Sequence, residues 1–334
     1  MNASVSLDHA PAERKARFDL AAWFARFGTI VSLIVLIVVF SIARADVFPT
    51  VDNILNIMNQ ISILGTMAFG LTVCLVMGLF DLSIAAMATL GGYVATFLLV
   101  TYPDTIGVPA AVLISLGTAA LIGVGNGLIV SYLGISAFIA TLATGSIITG
   151  AMLGISNSKT IITGIPDEFM TIGQGAIFGV SNPILIMLAI GLILWLLLEH
   201  TQLGRHLYAI GGSAEASRLS GIAVKRYAPI ALAICAACAG LGGLMAASVL
   251  GAGRPQGVGD TYLLNAFAAV FIGASSLRPG KFHILGTLIG VLLIGVINNG
   301  LSIMGVPTYW QYIVQGVLLV VALFSAGVLT MRRR

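Results

Sequence analysis

Apolar residues along this chain fall into runs of about twenty, separated by short polar, glycine or proline breaks. Because a helix needs roughly 20 consecutive apolar residues to cross a bilayer core, each run is long enough to span a membrane. The pattern predicts an all-α integral membrane protein with a single transmembrane domain over 28–328. About ten transmembrane helices are expected, at 28–44, 60–79, 83–101, 108–132, 136–155, 183–199, 227–250, 261–276, 282–303 and 308–328.

Composition supports the same class. Hydrophobic residues make up 58% of the chain, charged residues only 8%, and mean hydropathy is +1.06, whereas soluble domains carry about a quarter charged residues. Cys74, Cys235 and Cys238 all lie in apolar runs, so no disulfide framework is expected. The sequence contains no recognisable metal-ligand cluster, Ser-His-Asp arrangement or pair of buried carboxylates. We therefore expect no catalytic residue, no metal and no cofactor in this chain, and no enzyme.

Lysine and arginine residues predict the orientation, because they concentrate on the cytoplasmic side of a membrane. Placing the N-terminus inside puts 13 of the 16 on that side, and only Arg44, Lys159 and Arg254 remain outside. Both termini should therefore be cytoplasmic, as an arm over 1–27 and a basic tail over 329–334. These residues would anchor the chain to inner-membrane lipid, and they leave no nucleic-acid footprint.

One carboxylate interrupts an apolar stretch about twice as long as one span. Asp81, followed by Ser83, lies between the second and third predicted helices. Either side chain can accept hydrogen bonds from the free N–H groups of the helix that starts there. A direct contact with a solute or a coupling ion is the other interpretation, since a carboxylate at membrane depth must face protein or water. The pattern leaves both open.

Two polar loops stand out. The loop at 156–182, predicted outside, is either a lid, a docking surface or an ordinary connection. The loop at 200–226, predicted inside, contains enough helix-forming residues for two short helices, broken at Gly211 and Gly212, with Ser213 positioned to cap the second. A connecting loop that contains two helices indicates a surface to which another protein binds.

Four separated motifs resemble one family in the same order, from about Asn53 to Leu323. They are "GLFDLSIAAMATLGG", "GNGLIVSYLGISAFIATLATGSIITG", "LGRHLYAIGGSAEASRLSGI" and "GTLIGVLLIGVINNGLSIMGVPTYWQYIVQG". They resemble the ribose-type permeases of bacterial ATP-binding-cassette (ABC) importers. The resemblance implies a type II-like ABC importer permease fold in the inner membrane. It also implies a second permease subunit, identical or not, a cytoplasmic ATPase that uses ATP and Mg²⁺, and a periplasmic binding protein that delivers a sugar.

By the same resemblance, the inner loop is the coupling loop that the ATPase grips. The residues carried over share that loop: Gly204, Arg205, Tyr208, Gly211, Gly212, Glu215, Ala216, Arg218, Ser220 and Gly221. The sequence departs from the family at Ser213, which replaces a usual Asn. It also departs at Leu263 and Asn265, which replace a Glu and an Asp, so a less acidic path or gate is expected.

Polar residues at or near membrane depth are the candidates for the translocation path. Beside Asp81 and Ser83 they are Asn126, Thr141, Thr144, Asn265, Asn298, Asn299 and Gln311. Apart from Asp81 they are uncharged, which suits a neutral hydroxylated solute. Each one is equally suited to a hydrogen bond between helices. Glycines four residues apart, at 123/127, 150/154 and 286/290, predict close helix contacts.

The energy source also follows from the residues. None of the four lysines lies in a GxxxxGK[ST] phosphate-binding loop, so ATP hydrolysis requires another chain. An ion-coupled secondary transporter of a small polar solute is the alternative, but such a transporter should bury several ionisable groups, and only Asp81 is plausibly at membrane depth. The pattern favours transport that is powered by ATP hydrolysis in another chain. It does not specify which sugar or related solute is carried.

Overall fold

The computed structural model describes residues 20–317 and residue 320, with side chains from residue 27 onward. The regular structure of these residues is helical apart from one two-stranded antiparallel hairpin, β1 (Ala176–Ile177) and β2 (Val180–Ser181), and one isolated bridge between Ile161 and Gly253. The helices are α1 (Leu20–Ala43), α2 (Val51–Val76), α3 (Ile84–Thr101), α4 (Val108–Leu133), α5 (Ala137–Ser156), α6 (Asp167–Gln174), α7 (Asn182–His200), α8 (Gln202–Gly212), α9 (Ala214–Leu219), α10 (Tyr227–Leu250), α11 (Asp260–Ala274) and α12 (Ile284–Ile303). A further helix, α13, covers 308–317. The predicted tail at 329–334 and most of the arm at 1–27 lie outside the described residues.

Seven of the described helices are long and apolar enough to cross a membrane: α2, α3, α4, α5, α7, α10 and α12. Two shorter apolar segments accompany them, Phe27–Ala43 within α1 and the whole of α11. At 15 residues, α11 extends only about 22 Å, which is less than the roughly 30 Å hydrocarbon core. A helical membrane protein is thus confirmed, whereas the predicted count of about ten spans is not.

Two helices begin earlier than hydropathy predicted. The second starts at Val51 rather than at 60, because the hydroxyl of Thr50 accepts the Asn53 N–H (3.3 Å) and caps it. The first starts at Leu20 rather than at 28, within the stretch predicted as an arm. Hydropathy windows miss such turns because capping depends on one hydrogen bond and not on apolar length.

The helix α10 is central to the packing and contacts α2, α3 and α4. Small residues allow the close approach: the backbone of Gly91 in α3 lies against Gly240, and Gly123 in α4 lies against the Leu232 carbonyl. Small residues at helix interfaces are how membrane helices gain packing contacts without a hydrophobic driving force. Of the predicted glycine contacts, 123/127 and 286/290 lie at interfaces, but nothing lies within 4 Å of the Cβ positions of 150/154.

The loop at 156–182 folds onto one end of the bundle. Phe169 of α6 is fully buried there. Ser248 Oγ donates to the Phe169 carbonyl (2.7 Å) and accepts the Gly173 N–H (2.6 Å), which fastens α6 to the last turn of α10. We call this end of the bundle the α6 end. The opposite end, where α8 and α9 meet the first turn of α10, is the α8 end.

Candidate translocation path and coupling surface

The chain between α2 and α3 is not helical. Gly78 turns it with a φ of +80°, a conformation that glycine adopts without strain. Phe80 is exposed in the single chain and stacks on Phe267 of α11, with ring centroids 6.1 Å apart, and on Phe271 at 6.3 Å. Irregular backbone at membrane depth is tolerated only inside protein or beside a cavity. The break therefore marks a candidate path.

Asp81 is completely buried at this break. One carboxylate oxygen accepts both the N–H of Ser83 (2.8 Å) and its hydroxyl. Ser83 itself precedes α3 without capping it through its side chain. On the neighbouring α5, the Thr141 hydroxyl accepts the Leu82 N–H (3.0 Å). These contacts fix the break from within the protein, and they place Asp81, Ser83 and Thr141 together.

The other oxygen of Asp81 has no hydrogen-bond partner. It faces a small group that could hold a metal ion, because the ligand atoms of Cys74, Asp81 and Cys235 lie within 4.8 Å of one another. Two thiols suit soft ions, but a structural zinc site requires four ligands. The Cys74 thiol is also directed at the Ala231 carbonyl (3.3 Å). The arrangement therefore fits a packed polar core better than a metal centre.

Several predicted path residues join helices instead of facing open space. The Thr144 hydroxyl of α5 donates to Asn126 of α4 (2.6 Å), and the Asn299 amide of α12 donates to Asn53 of α2 (3.0 Å). Asn265 donates to a carbonyl of its own helix. Such bonds stabilise membrane bundles by about 0.6 kcal/mol each on average.

The last two predicted path residues lie near the junction of α12 and α13. Gln311 donates to the Ser302 hydroxyl (3.0 Å), and Asn298 accepts from Gln315 (3.1 Å). The two bonds connect the helices across a short turn. The structure thus distributes the predicted path residues over several separate places in the bundle.

The α8 end carries the two short helices expected from the sequence. Thr201 caps α8 by accepting the Gly204 N–H (3.2 Å), and Ser213 caps α9 by accepting the Ala216 N–H (3.2 Å). The break between the two helices falls at Ser213, directly after the glycine pair. Capping supplies acceptors for N–H groups that a short helix leaves free.

The surface of α9 is exposed and mixed in character. Glu215 and Arg218 form an ion pair (2.7 Å) whose side chains are both about two-thirds exposed, and Leu219 beside them is 78% exposed. The Ser220 hydroxyl donates to a carbonyl one turn earlier, and Gly221 then turns the chain with a φ of +86°. An exposed leucine within a charged rim is suited to contact with a partner protein.

Glycines hold α8 against the transmembrane helices. A Cβ on Gly211 would overlap the Val76 carbonyl at the end of α2, and a Cβ on Gly204 would overlap the Leu198 carbonyl of α7. The neighbouring Gly212 has nothing within 4 Å. The contacts are backbone to backbone, so α8 packs against the ends of α2 and α7 with no side chain between them.

Two polar contacts extend this connection to the turn before α12. The Tyr208 hydroxyl donates to the Phe282 carbonyl (2.9 Å), and Arg278 binds both oxygens of Glu199 (2.6 and 2.8 Å). Burial, and then the nearby Glu199 carboxylate, raise the pKa of Tyr208 to about 12, so its hydroxyl stays a donor. The hydrogen bond that Arg278 donates to Glu199 raises the pKa of Arg278. These residues border a cavity of about 740 Å³ that Arg205 and Lys281 also line.

Sequence reasoning gave no role to Arg278 or to Asn53. Glu199 and Arg278 are 79 positions apart, and only their common predicted side pointed to a contact. A second polar cavity was also missed. Its residues are Ala86, Thr89, Thr149, Arg254, Gln256, Gly257 and Asp260.

The bundle, its broken helix and its exposed short helices define the class of a membrane permease component. Residues 53–323 match the family model described as the permease component of the branched-chain amino acid transport system. The chain belongs to this family, as the four motifs indicated. It is therefore a transport protein of the bacterial inner membrane and not an enzyme family member.

Curated relatives cover nearly the whole chain. The ribose import permease protein of Escherichia coli is 36% identical over 92% of this chain and 95% of its own length. That of Bacillus subtilis is 34% identical over 93% and 94%. The D-allose transport system permease protein of Escherichia coli is 34% identical over 93% and 94%. No solved structure shows a significant match.

Proposed function

We propose that this chain is the membrane-spanning subunit of an ABC importer for a monosaccharide, and that it forms a translocation path with a second permease subunit. The relatives named for ribose and allose support a sugar as the solute. They favour this function over an ion-coupled transporter. The observation that carries the coupling is the contact of α8 with the ends of α2 and α7.

In this proposal the α8 end is cytoplasmic and the α6 end is periplasmic. The separation of positive charge supports the assignment, because Arg205, Arg218, Lys225, Arg278 and Lys281 all belong to the α8 end or its adjoining turns. A periplasmic binding protein then delivers the solute at the α6 end. A cytoplasmic ATPase, which supplies ATP and Mg²⁺, binds at the α8 end.

The mechanism is mechanical. The ATPase holds α9 through Glu215, Arg218 and Leu219, and its closure displaces α8. Since Gly204 and Gly211 leave no space between α8 and the helices α7 and α2, the displacement reaches the break that contains Asp81. The Glu199–Arg278 pair carries the same movement to the turn before α12.

Reconstitution tests this proposal. In liposomes the chain without its ATPase should not accumulate any sugar, with or without a proton or sodium gradient. Addition of the ATPase, the binding protein and ATP should give uptake of D-ribose or a related monosaccharide. Accumulation driven by an ion gradient alone would overturn the proposal. The substitution Leu219→Glu should block stimulation of the ATPase while the permease still inserts.

A further inference from the structure

A polar cavity of about 240 Å³ lies between α3, α5 and the segment that precedes α11. Thr89 comes from α3, Thr149 from α5, Arg254 and Gln256 from the segment between α10 and α11, and Asp260 from the start of α11. No predicted path residue lines it. The cavity is smaller than the roughly 300–1,000 Å³ that drug-sized ligands occupy, which limits an occupant to a small molecule.

The segment 251–259 dips into the bundle instead of running over its surface. Val258 packs with Ile63 and Met67, which lie at the middle of α2. The backbone of Gly259 lies against that of Ala85, in the first turn of α3, where a Cβ would overlap the Ala85 carbonyl. The N-terminal ends of α3 and α11 therefore meet deep in the bundle, next to the cavity.

In secondary transporters, solute sites lie near the bilayer midplane beside discontinuous helices. Here the breaks before α3 and before α11 lie side by side, as the contact of Gly259 with Ala85 shows. Non-helical backbone at that depth requires a cavity or surrounding protein. The short α11 and the break before α3 thus have a common explanation, because both make room beside this cavity.

Three of the side chains at the cavity are free to bind a ligand. Within the described residues, Arg254, Gln256 and Asp260 make no hydrogen bond or ion pair with the rest of the chain, and all three are exposed to the cavity side in the single chain. The positive charge of Arg254 and the negative charge of Asp260 cancel. One charge of each sign at the cavity favours a neutral occupant over an ion.

The donors and acceptors match sugar hydroxyl groups. A hydroxyl both donates and accepts, so a ring with several hydroxyls requires partners of both kinds. Asp260 supplies acceptors, Arg254 supplies donors in a fixed fork, and Gln256 supplies both. Phe80, at the break before α3, stacks on Phe267 of α11, the helix that Asp260 begins.

We propose that Thr89, Arg254, Gln256 and Asp260 form a transit site that binds the hydroxyl groups of one monosaccharide on its way through the outer half of the path. This inference rests on the proposed function and specifies where the solute is held. The site is weak, because the binding protein supplies selectivity and a tight site would slow release. The site therefore affects how much sugar is taken up for each ATP hydrolysed.

The test uses the complete importer in proteoliposomes, with its ATPase and binding protein. Uptake of D-ribose, D-allose, D-xylose and L-arabinose is measured per ATP hydrolysed for the wild type, Asp260→Asn and Gln256→Ala. Loss of a hydrogen bond to a charged group predicts about a tenfold decrease for Asp260→Asn. Gln256→Ala should change the relative rates of the four sugars. The matched control is Asp104→Asn, an exposed carboxylate in the turn after α3, which should transport at the wild-type rate.

The outcomes separate the two proposals. If the wild-type complex takes up none of the four sugars with ATP, the proposed function is wrong. If the wild type transports and Asp260→Asn and Gln256→Ala match Asp104→Asn, the transit site is wrong. If both variants slow all four sugars equally and also lower the thermal stability of the complex, the residues are structural and the inference is again overturned.

Discussion

The packing of α4 on α10 gives a prediction with a built-in control. Gly123 and Gly125 lie two residues apart on α4 and face different directions. A Cβ at position 123 would lie 2.5 Å from the Leu232 carbonyl oxygen and 2.8 Å from the Cβ of Ala236, closer than real Cβ atoms approach. A Cβ at position 125 would meet nothing within 4 Å. The two substitutions to alanine should therefore differ in sign.

The magnitude follows from two opposing effects. Replacing glycine by alanine in a helix stabilises it by about 0.5–1 kcal/mol, and this gain is the same at both positions. Overpacking a close contact destabilises by about 1–3 kcal/mol, and only Gly123→Ala incurs it. The difference in unfolding free energy between the variants should be about 1–3 kcal/mol, with Gly125→Ala at or above the wild type.

Thermal unfolding of the purified chain in one detergent, followed by tryptophan fluorescence, measures this difference. Gly123→Ala should unfold several degrees below Gly125→Ala, since about 1 kcal/mol shifts Tm by roughly 2–4 °C in proteins of this order of size. Equal Tm values would refute the reasoning, because they would mean that α4 and α10 can move apart at no cost in stability. A second substitution, Gly123→Leu, should unfold lower still.

Three further predictions concern polar contacts. Asp81→Asn keeps an acceptor for the Ser83 N–H and should retain most of the thermal stability, whereas Asp81→Leu leaves buried donors unpaired and should lose about 1–3 kcal/mol; equal losses, with uptake abolished in both, would point to a role for the charge. Asn299→Ala should destabilise by about 0.6 kcal/mol and by no more than about 1.7 in the same unfolding assay. Because folding raises the pKa of Tyr208, its protonated hydroxyl stabilises the folded state. This stabilisation is complete below pH 10, the ordinary pKa of tyrosine, and is lost as the pH rises toward 12. Tyr208→Phe should remove that alkaline loss of stability, and an unchanged pH profile would contradict the contact with Phe282.

The segment that carries the two short helices, 202–219, was predictable in detail. Its two helices, the break near Gly211 and Gly212 and the cap at Ser213 follow from local rules, because a hydroxyl beside free N–H groups and a glycine pair act within a few residues. The broken helix at Asp81 was expected for the same reason. Asp81 accepts the N–H of Ser83, which precedes α3, and not an N–H within α3. This is a detail of backbone geometry that no sequence pattern specifies.

The residues of the candidate path remain a prediction. Asn126, Thr144 and Asn299 were expected at membrane depth, and the structure shows that their hydrogen bonds join helices. The cavity with Arg254 and Asp260 was not anticipated, because these residues border a polar stretch of sequence that hydropathy assigns to a loop. Only the descent of 251–259 into the bundle brings them to the helices that line the cavity.

The sequence by itself determined the class, since the number and length of apolar runs, the low charge and four ordered motifs are all local or compositional properties. It also determined that two short helices follow α7 and that Ser213 caps the second. Only the tertiary structure decided which polar residues pair with one another and which remain exposed at a cavity. The physical reason is that a hydrogen bond in a membrane bundle is chosen by which helix lies opposite, and that neighbour is set by packing between residues far apart in the chain.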